Sequence, residues 1–271
     1  MGEALRKERI IWLDLLKLFA IFLVIWGHLF PRLGWPWEQK YMGIDGLIYS
    51  FHMPLFMTIS GYVSSKVISG QGDLFRKFRQ LIIPCALLGI ICSCIKFQEN
   101  FWYLKSLFSC YCLFLLFYKL FHNRLISYFF LVGGCFVLFP LIAYLPVIGS
   151  FKLDFMLPFF GLGLLLRKYS LWISKHLIPL TIILGIMFFI CESFWNGQYV
   201  WYNTQPRWVD YKHLYLNHQF VFDTTNLVIC LFRYFTGAVA SCFFIFLFQK
   251  LFPQNQIGEK IQYVSKWGGK L

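Results

Sequence analysis

The chain has 271 residues, 59% hydrophobic, 21% aromatic and 14% charged, with a formal net charge of +13. A soluble domain carries about 25% charged residues, so this composition excludes an ordinary water-soluble fold and indicates a polytopic helical membrane protein. The apolar runs are continuous rather than alternating, which argues against a β-barrel. No basic patch sits on a polar domain of its own, which argues against nucleic acid as a partner.

Eight apolar segments are expected, near residues 10–30, 44–64, 81–97, 101–121, 126–146, 153–168, 177–194 and 226–249. They form an all-α transmembrane bundle, one domain over residues 1–271, surrounded by membrane lipid. Arg6, Lys7 and Arg9 precede the first segment as in a signal peptide, but that segment is too long and lacks a small-residue cleavage site, so it reads as an uncleaved span. Antiparallel threading places sixteen Lys and Arg on one side, Arg76, Arg79 and Arg167 among them, and seven on the other, including Lys152. The bias puts both termini in the cytoplasm. Cys92 and Cys94, like Cys110 and Cys112, lie inside apolar runs, and no pair of C-x-x-C motifs exists. No disulfide and no metal is expected.

The first segment, LDLLKLFAIFLVIWGH, carries Asp14, Lys17 and His28. At about 100° and 1.5 Å per residue, Lys17 and His28 share a helix face about 16 Å apart, with Asp14 within about 40° of His28. Asp14 and Lys17, at i and i+3, neutralise each other. That pair fits an interfacial anchor with a snorkelling lysine as well as a functional polar stripe. His28 reads either as a helix-end histidine bonded across the bundle or as a general base or acyl acceptor near neutral pH.

The second segment holds FHMPLFMTISGY, residues 51–62. Pro54 loosens the helix, and Ser60-Gly61 permits close approach of another backbone. Then comes FRKFRQLIIP, where Arg76 and Arg79 share a face suited to phosphate groups or to plain interfacial anchoring. The seventh segment ends with Glu192. Residues 195–225 form a polar, aromatic outer loop with Trp195, Trp201, Trp208 and Tyr211, a surface for stacking on sugar rings or an aromatic belt.

In order, these pieces resemble the acyltransferase-3 family of integral membrane acyltransferases. The matching stretches are RIIWLDLLKLFAIFLVIWGH, FHMPLFMTISGY, FRKFRQLIIP, FWYLKSLF at 101–108 and FMLPFFGLGLLLRK at 155–168. The resemblance implies about ten spans and transfer of an acyl group, most often acetyl from acetyl-CoA, to glycans or lipid-linked sugars. The family's basic residue followed after ten residues by His maps to Lys17 and His28, its Arg-x-x-Arg to Arg76 and Arg79, and its Ser-Gly-aromatic segment to Ser60, Gly61 and Tyr62. The basic residue is usually Arg; Lys17 keeps the charge without the fork. The family usually continues past a sequence such as Trp267-Gly268-Gly269-Lys270-Leu271 into further helices, so the resemblance implies a member that is C-terminally truncated, naturally divergent or inactive.

The implied enzyme is an acetyl-CoA-dependent O-acetyltransferase of a bacterial inner membrane, modifying envelope polysaccharide. Catalysis falls to His28, with Asp14 and Lys17; CoA binding to Lys17, Arg76 and Arg79; substrate contact to His52, Ser60, Gly61, Tyr62, Glu192 and Trp208. Two other readings fit an intramembrane Asp-Lys-His set: a transporter or flippase with a proton relay, and an inactive truncated homologue.

Overall fold

The computed structural model describes residues 10–29, 43–68, 74–94, 102–137, 152–200 and 221–253. The described residues are all-helical, with α1 (Ile11–Leu29), α2 (Gly43–Val63), α3 (Ser65–Ile68), α4 (Leu74–Cys94), α5 (Trp102–Phe121), α6 (Arg124–Val137), α7 (Leu153–Lys168), α8 (Ser170–Lys175), α9 (Leu177–Ser193) and α10 (Thr224–Leu251). A single 3-10 turn follows α9 at Gly197–Val200. Each of the eight expected apolar segments overlaps one helix of 14 residues or more.

Among the described residues, α5 and α10 are long and apolar enough, by length and composition, to cross a membrane, two of the eight expected spans. The helices α7 and α9 have 16 and 17 residues, at the short end of the roughly 17–25 that a span takes. Helix α4 runs from Leu74 to Cys94 and so reaches N-terminally of the apolar segment expected from 81, because Arg, Lys, Gln and Leu are all good helix formers and carry the helix through the basic stretch. Arg76 and Arg79 therefore lie within its first two turns.

The chain divides into two compact units. The first comprises Met1–Phe56, Leu171–Gly197 and Thr236–Leu271; the second comprises Met57–Ser170 and Gln198–Phe235. In the first unit, α1, the start of α2, α9 and the end of α10 meet through phenylalanines. Phe51 stacks on Phe244 at 4.7 Å and meets Phe188 edge-on at 5.6 Å. Phe19 packs between Phe244 and Phe248 at 5.3 and 5.4 Å. Gly185 lets Phe243 approach the α9 backbone. Such aromatic pairs each add about 0.5–1.5 kcal/mol beyond their buried area.

In the second unit, the end of α2 crosses α7 at backbone contact. A Cβ on Gly61 would overlap the Phe160 carbonyl, and one on Gly163 would overlap the Thr58 carbonyl and lie 2.6 Å from the Tyr62 nitrogen. Only glycine allows this crossing, the small-residue packing that apolar helices use when lipid supplies no hydrophobic drive. Around it, Tyr111 and Phe114 of α5 pack on Phe160 at 5.2 and 5.4 Å.

The helix surfaces turned away from these cores are apolar. On α9, Ile178, Ile182, Ile186 and Phe189 are each more than half exposed, opposite the buried Thr181, Gly185 and Phe188. On α1, Phe22, Ile25 and Leu29 are exposed in the same way. Apolar stripes of this kind suit lipid contact rather than water.

The Gly163→Val variant should force α2 and α7 apart. The expected outcome is a loss of about 1–3 kcal/mol or more, read as lower membrane abundance and a lower unfolding midpoint in detergent. A variant as stable as the parent would show that the crossing is not tight.

Candidate active site

Helix α1 supplies three of the residues singled out above. Asp14, buried at 6% exposure, accepts a charge-assisted hydrogen bond from Lys17 Nζ at 3.4 Å. The i,i+3 spacing brings the two charges together on one helix surface, and pairing lowers the cost of holding an ammonium in an apolar helix, about 2.5–3.5 kcal/mol on insertion scales. Three turns on, the backbone of His28 lies in the last turn of α1; its imidazole is outside the described part of the structure.

The end of α1 is held from α2. A helix leaves its last four carbonyls without internal partners, and the Gly27 carbonyl accepts a hydrogen bond from Tyr49 Oη at 2.5 Å. One turn earlier on α2, Asp45 accepts from Trp26 Nε1 at 3.1 Å. Asp45, Tyr49 and His52 recur at i, i+4 and i+7, so one face of α2 fixes the turn that carries His28. His52 is buried. Its ring meets Tyr49 edge-on at 4.9 Å, and its Nδ1–H donates to the Ile48 carbonyl at 2.8 Å. In a neutral ring that places the lone pair on Nε2.

The residue beside Tyr49 reaches the other way, to α9. Ser50 Oγ lies 2.7 Å from the Leu47 carbonyl and 2.6 Å from Glu192 Oε1. A hydroxyl has one hydrogen to give. The Ser50 Oγ–H is shared between the Leu47 carbonyl and the Glu192 carboxyl, each an acceptor. Residues 49 and 50 thus tie the last turn of α1 and the last turn of α9 to the first two turns of α2.

The remaining predicted residues belong to the second unit. Ser60 Oγ lies 3.0 Å from Tyr103 Oη, and one turn on Ser64 Oγ lies 2.5 Å from Tyr111 Oη. Gly61 is occupied in the crossing with α7. Tyr62 is buried; its Oη accepts from Arg167 at 3.2 Å, and the guanidinium lies 5.1 Å from the ring centroid. Arg76 and Arg79 are exposed on α4, with Arg79 over the Phe75 ring at 5.2 Å. Trp208 lies outside the described residues, as does most of the expected outer loop at 195–225.

Sequence reasoning passed over Asp45 and Tyr49, whose signal was the i, i+4, i+7 recurrence that ends at His52, and Ser50, which has no such signal. It also passed over Arg167 and Arg124, counted only as loop charges. Arg124 donates to Ser65 Oγ at 2.7 Å and Arg167 to Tyr62, so the first fastens the start of α3 and the second the end of α2. Among the described residues, no group of three or more His, Cys, Asp or Glu could hold a metal ion.

A family model described as an acyltransferase domain, that of the acyltransferase-3 family, matches residues 10–266. The chain is similar to Nodulation protein NolL of Mesorhizobium japonicum, with 28% identity over 230 residues, covering 70% of this chain and 57% of that protein. It is also similar to Nodulation protein NolL of Sinorhizobium fredii, with 30% identity over 195 residues, covering 60% and 50%. The chain thus spans little more than half the length of these relatives. No solved structure matches it.

Substitutions at Glu192 test the tie between α2 and α9. Glu192→Gln keeps a carbonyl acceptor for Ser50 and should leave the unfolding midpoint unchanged, whereas Glu192→Ala should cost about 1 kcal/mol. A Gln variant as unstable as the Ala variant would show that the contact needs the carboxyl group itself.

Proposed function

The chain belongs to the acyltransferase-3 family, and on that premise we propose that it is a membrane O-acyltransferase. It moves an acyl group, acetyl in the first instance, from cytoplasmic acyl-CoA to a hydroxyl of a cell-surface or lipid-linked glycan. In this reading the eight longer helices cross a bacterial inner membrane, with the N-terminus in the cytoplasm.

The observation that carries the reading is the layout of α1. One helix holds an ion-paired ammonium near its start and His28 in its last turn, and α2 pins that turn through Asp45 and Tyr49. Transfer needs a base at a fixed place beside the acceptor hydroxyl, because proximity and orientation supply much of the barrier reduction. His28 takes the hydroxyl proton as the acceptor oxygen attacks the thioester carbonyl. The tetrahedral intermediate then expels the CoA thiolate, and the imidazolium returns the proton to sulfur.

The family pattern assigns the CoA phosphates to Lys17, Arg76 and Arg79. The two arginines sit at the start of α4, where the helix dipole also favours an anion. Asp14 fixes Lys17. On the acceptor side, His52 and Glu192 present a ring nitrogen and a carboxyl at the end of the unit where α1 terminates. Ser60, Tyr62 and Trp208 add contacts to the substrate.

Mass spectrometry of surface glycans tests the assignment in cells with the gene, without it, and with His28→Ala at equal abundance. An acyl mass increment confined to the unmodified gene is expected. Retained transfer by His28→Ala would remove the base, and accumulation of solute by vesicles without a covalent increment would favour a transporter. Tyr49→Phe, which releases the end of α1, should lower kcat by about tenfold with KM for acyl-CoA unchanged; an unchanged kcat would show that the pin does not matter.

A further inference from the structure

The basic stretch of α4 has a third cation, which the mechanism leaves unused. One residue along a helix turns the side chain by about 100°, so Lys77 lies on a different side of α4 from Arg76 and Arg79. Both arginines are exposed, whereas Lys77 is half-buried and its Nζ sits 5.4 Å from the centroid of the Tyr111 ring. Tyr111 Oη in turn lies 2.5 Å from Ser64 Oγ, at the junction of α2 and α3. Two further cations reach that junction from other helices. Arg167, in the last turn of α7, donates to Tyr62 Oη at 3.2 Å. Arg124, the first residue of α6, donates to Ser65 Oγ at 2.7 Å and to the Ser65 carbonyl at 3.4 Å. Three helices thus bring one cation each to residues 62–65.

Each cation rests on a tyrosine. The Arg167 guanidinium lies 5.1 Å from the centroid of Tyr62, and that of Arg124 lies 6.0 Å from the centroid of Tyr118. An aromatic face holds a cation in place without cancelling its charge, and the hydroxyl and carbonyl oxygens that accept from the arginines are neutral as well. No Asp or Glu occurs in residues 100–153, which include all of α5 and α6. All three cations are half-buried, fixed by the protein yet open at its surface. Cations gathered in this way concentrate anions. Guanidinia favour phosphate in particular, whose oxygens accept their N–H groups in pairs, and lysine adds a point charge.

We propose that Lys77, Arg124 and Arg167 bind the phosphate groups of the acyl donor at the junction of α2 and α3. CoA carries a diphosphate and a phosphomonoester, enough negative charge to engage all three. With both termini in the cytoplasm, the three residues lie on the cytoplasmic side, from which a CoA thioester arrives. The site adds three inward cations to the two outward arginines of α4. That the phosphates belong to an acyl donor rests on the acyl-transfer reading; that phosphate binds here does not.

The test uses the full chain in phosphatidylcholine nanodiscs at constant ionic strength. Its unfolding midpoint is followed during titration with CoA, with pyrophosphate, or with pantetheine as the control without phosphate. A ligand that binds the folded state raises the midpoint. CoA and pyrophosphate should raise it and pantetheine should not. Lys77→Gln and Arg124→Gln should each weaken half-saturation about tenfold, as expected for one lost charge-assisted contact. Lys119→Gln removes the same charge from an exposed position on α5 and should leave half-saturation unchanged. Half-saturation is read within each variant, so a lower starting midpoint in Arg124→Gln does not enter the comparison. No rise with either phosphate ligand, unchanged half-saturation in both Lys77→Gln and Arg124→Gln, or an equal loss in Lys119→Gln would overturn the proposal. A rise produced only by exchanging phosphatidylcholine for phosphatidylglycerol would overturn it in favour of a lipid headgroup site. A rise with pyrophosphate but not with CoA would end the donor assignment and leave the phosphate site standing. Because no readout needs acyl transfer, failure of the enzymatic reading and failure of the phosphate site give different results.

Discussion

Helices that turn isoleucine and phenylalanine outward leave their polar groups little but one another for partners, and much of this structure follows from that constraint. A carbonyl released by a helix end or a proline must be met from within the protein. The end of α1 releases Gly27, and Tyr49 donates to it. Pro158 lacks the N–H that would reach Asp154 four residues back, and Tyr234 donates to that carbonyl instead. Small hydroxyls inside the helices solve the same problem locally: Thr181 and Ser241 donate to the carbonyls four residues before them.

Packing obeys a related limit. In an apolar solvent, helix association depends on dispersion and close approach rather than on escape from water. The second unit answers with glycines at the crossing of α2 and α7. The first answers with phenylalanine rings from four helices, gathered about Phe51, Phe188 and Phe244.

The candidate residues gather where helices begin and end, where the backbone already offers polar groups and the cost of a charge is smallest. His28 is in a last turn, Glu192 in another, and Arg76 and Arg79 are within the first two turns of α4. The neighbouring helix then decides what each terminal group can do. Tyr49 and Ser50 show this most directly: adjacent on α2, they point to opposite sides and engage the ends of α1 and α9.

Composition and the length of the apolar runs were enough to determine an all-helical membrane protein and to place eight helices, since a bilayer permits few alternatives. The i,i+3 spacing was enough to pair Asp14 with Lys17, because a helix fixes that geometry by itself. The start of α4 escaped a reading based on hydropathy, for basic residues extend a helix as readily as leucine does. Only the tertiary structure decided that Tyr49 caps α1, that Ser50 meets Glu192 from 142 residues away, and that Tyr234 reaches the Asp154 carbonyl from 80 residues away. Each of those contacts joins residues far apart in the chain, and their proximity is set by the crossing of helices, which local periodicity does not encode.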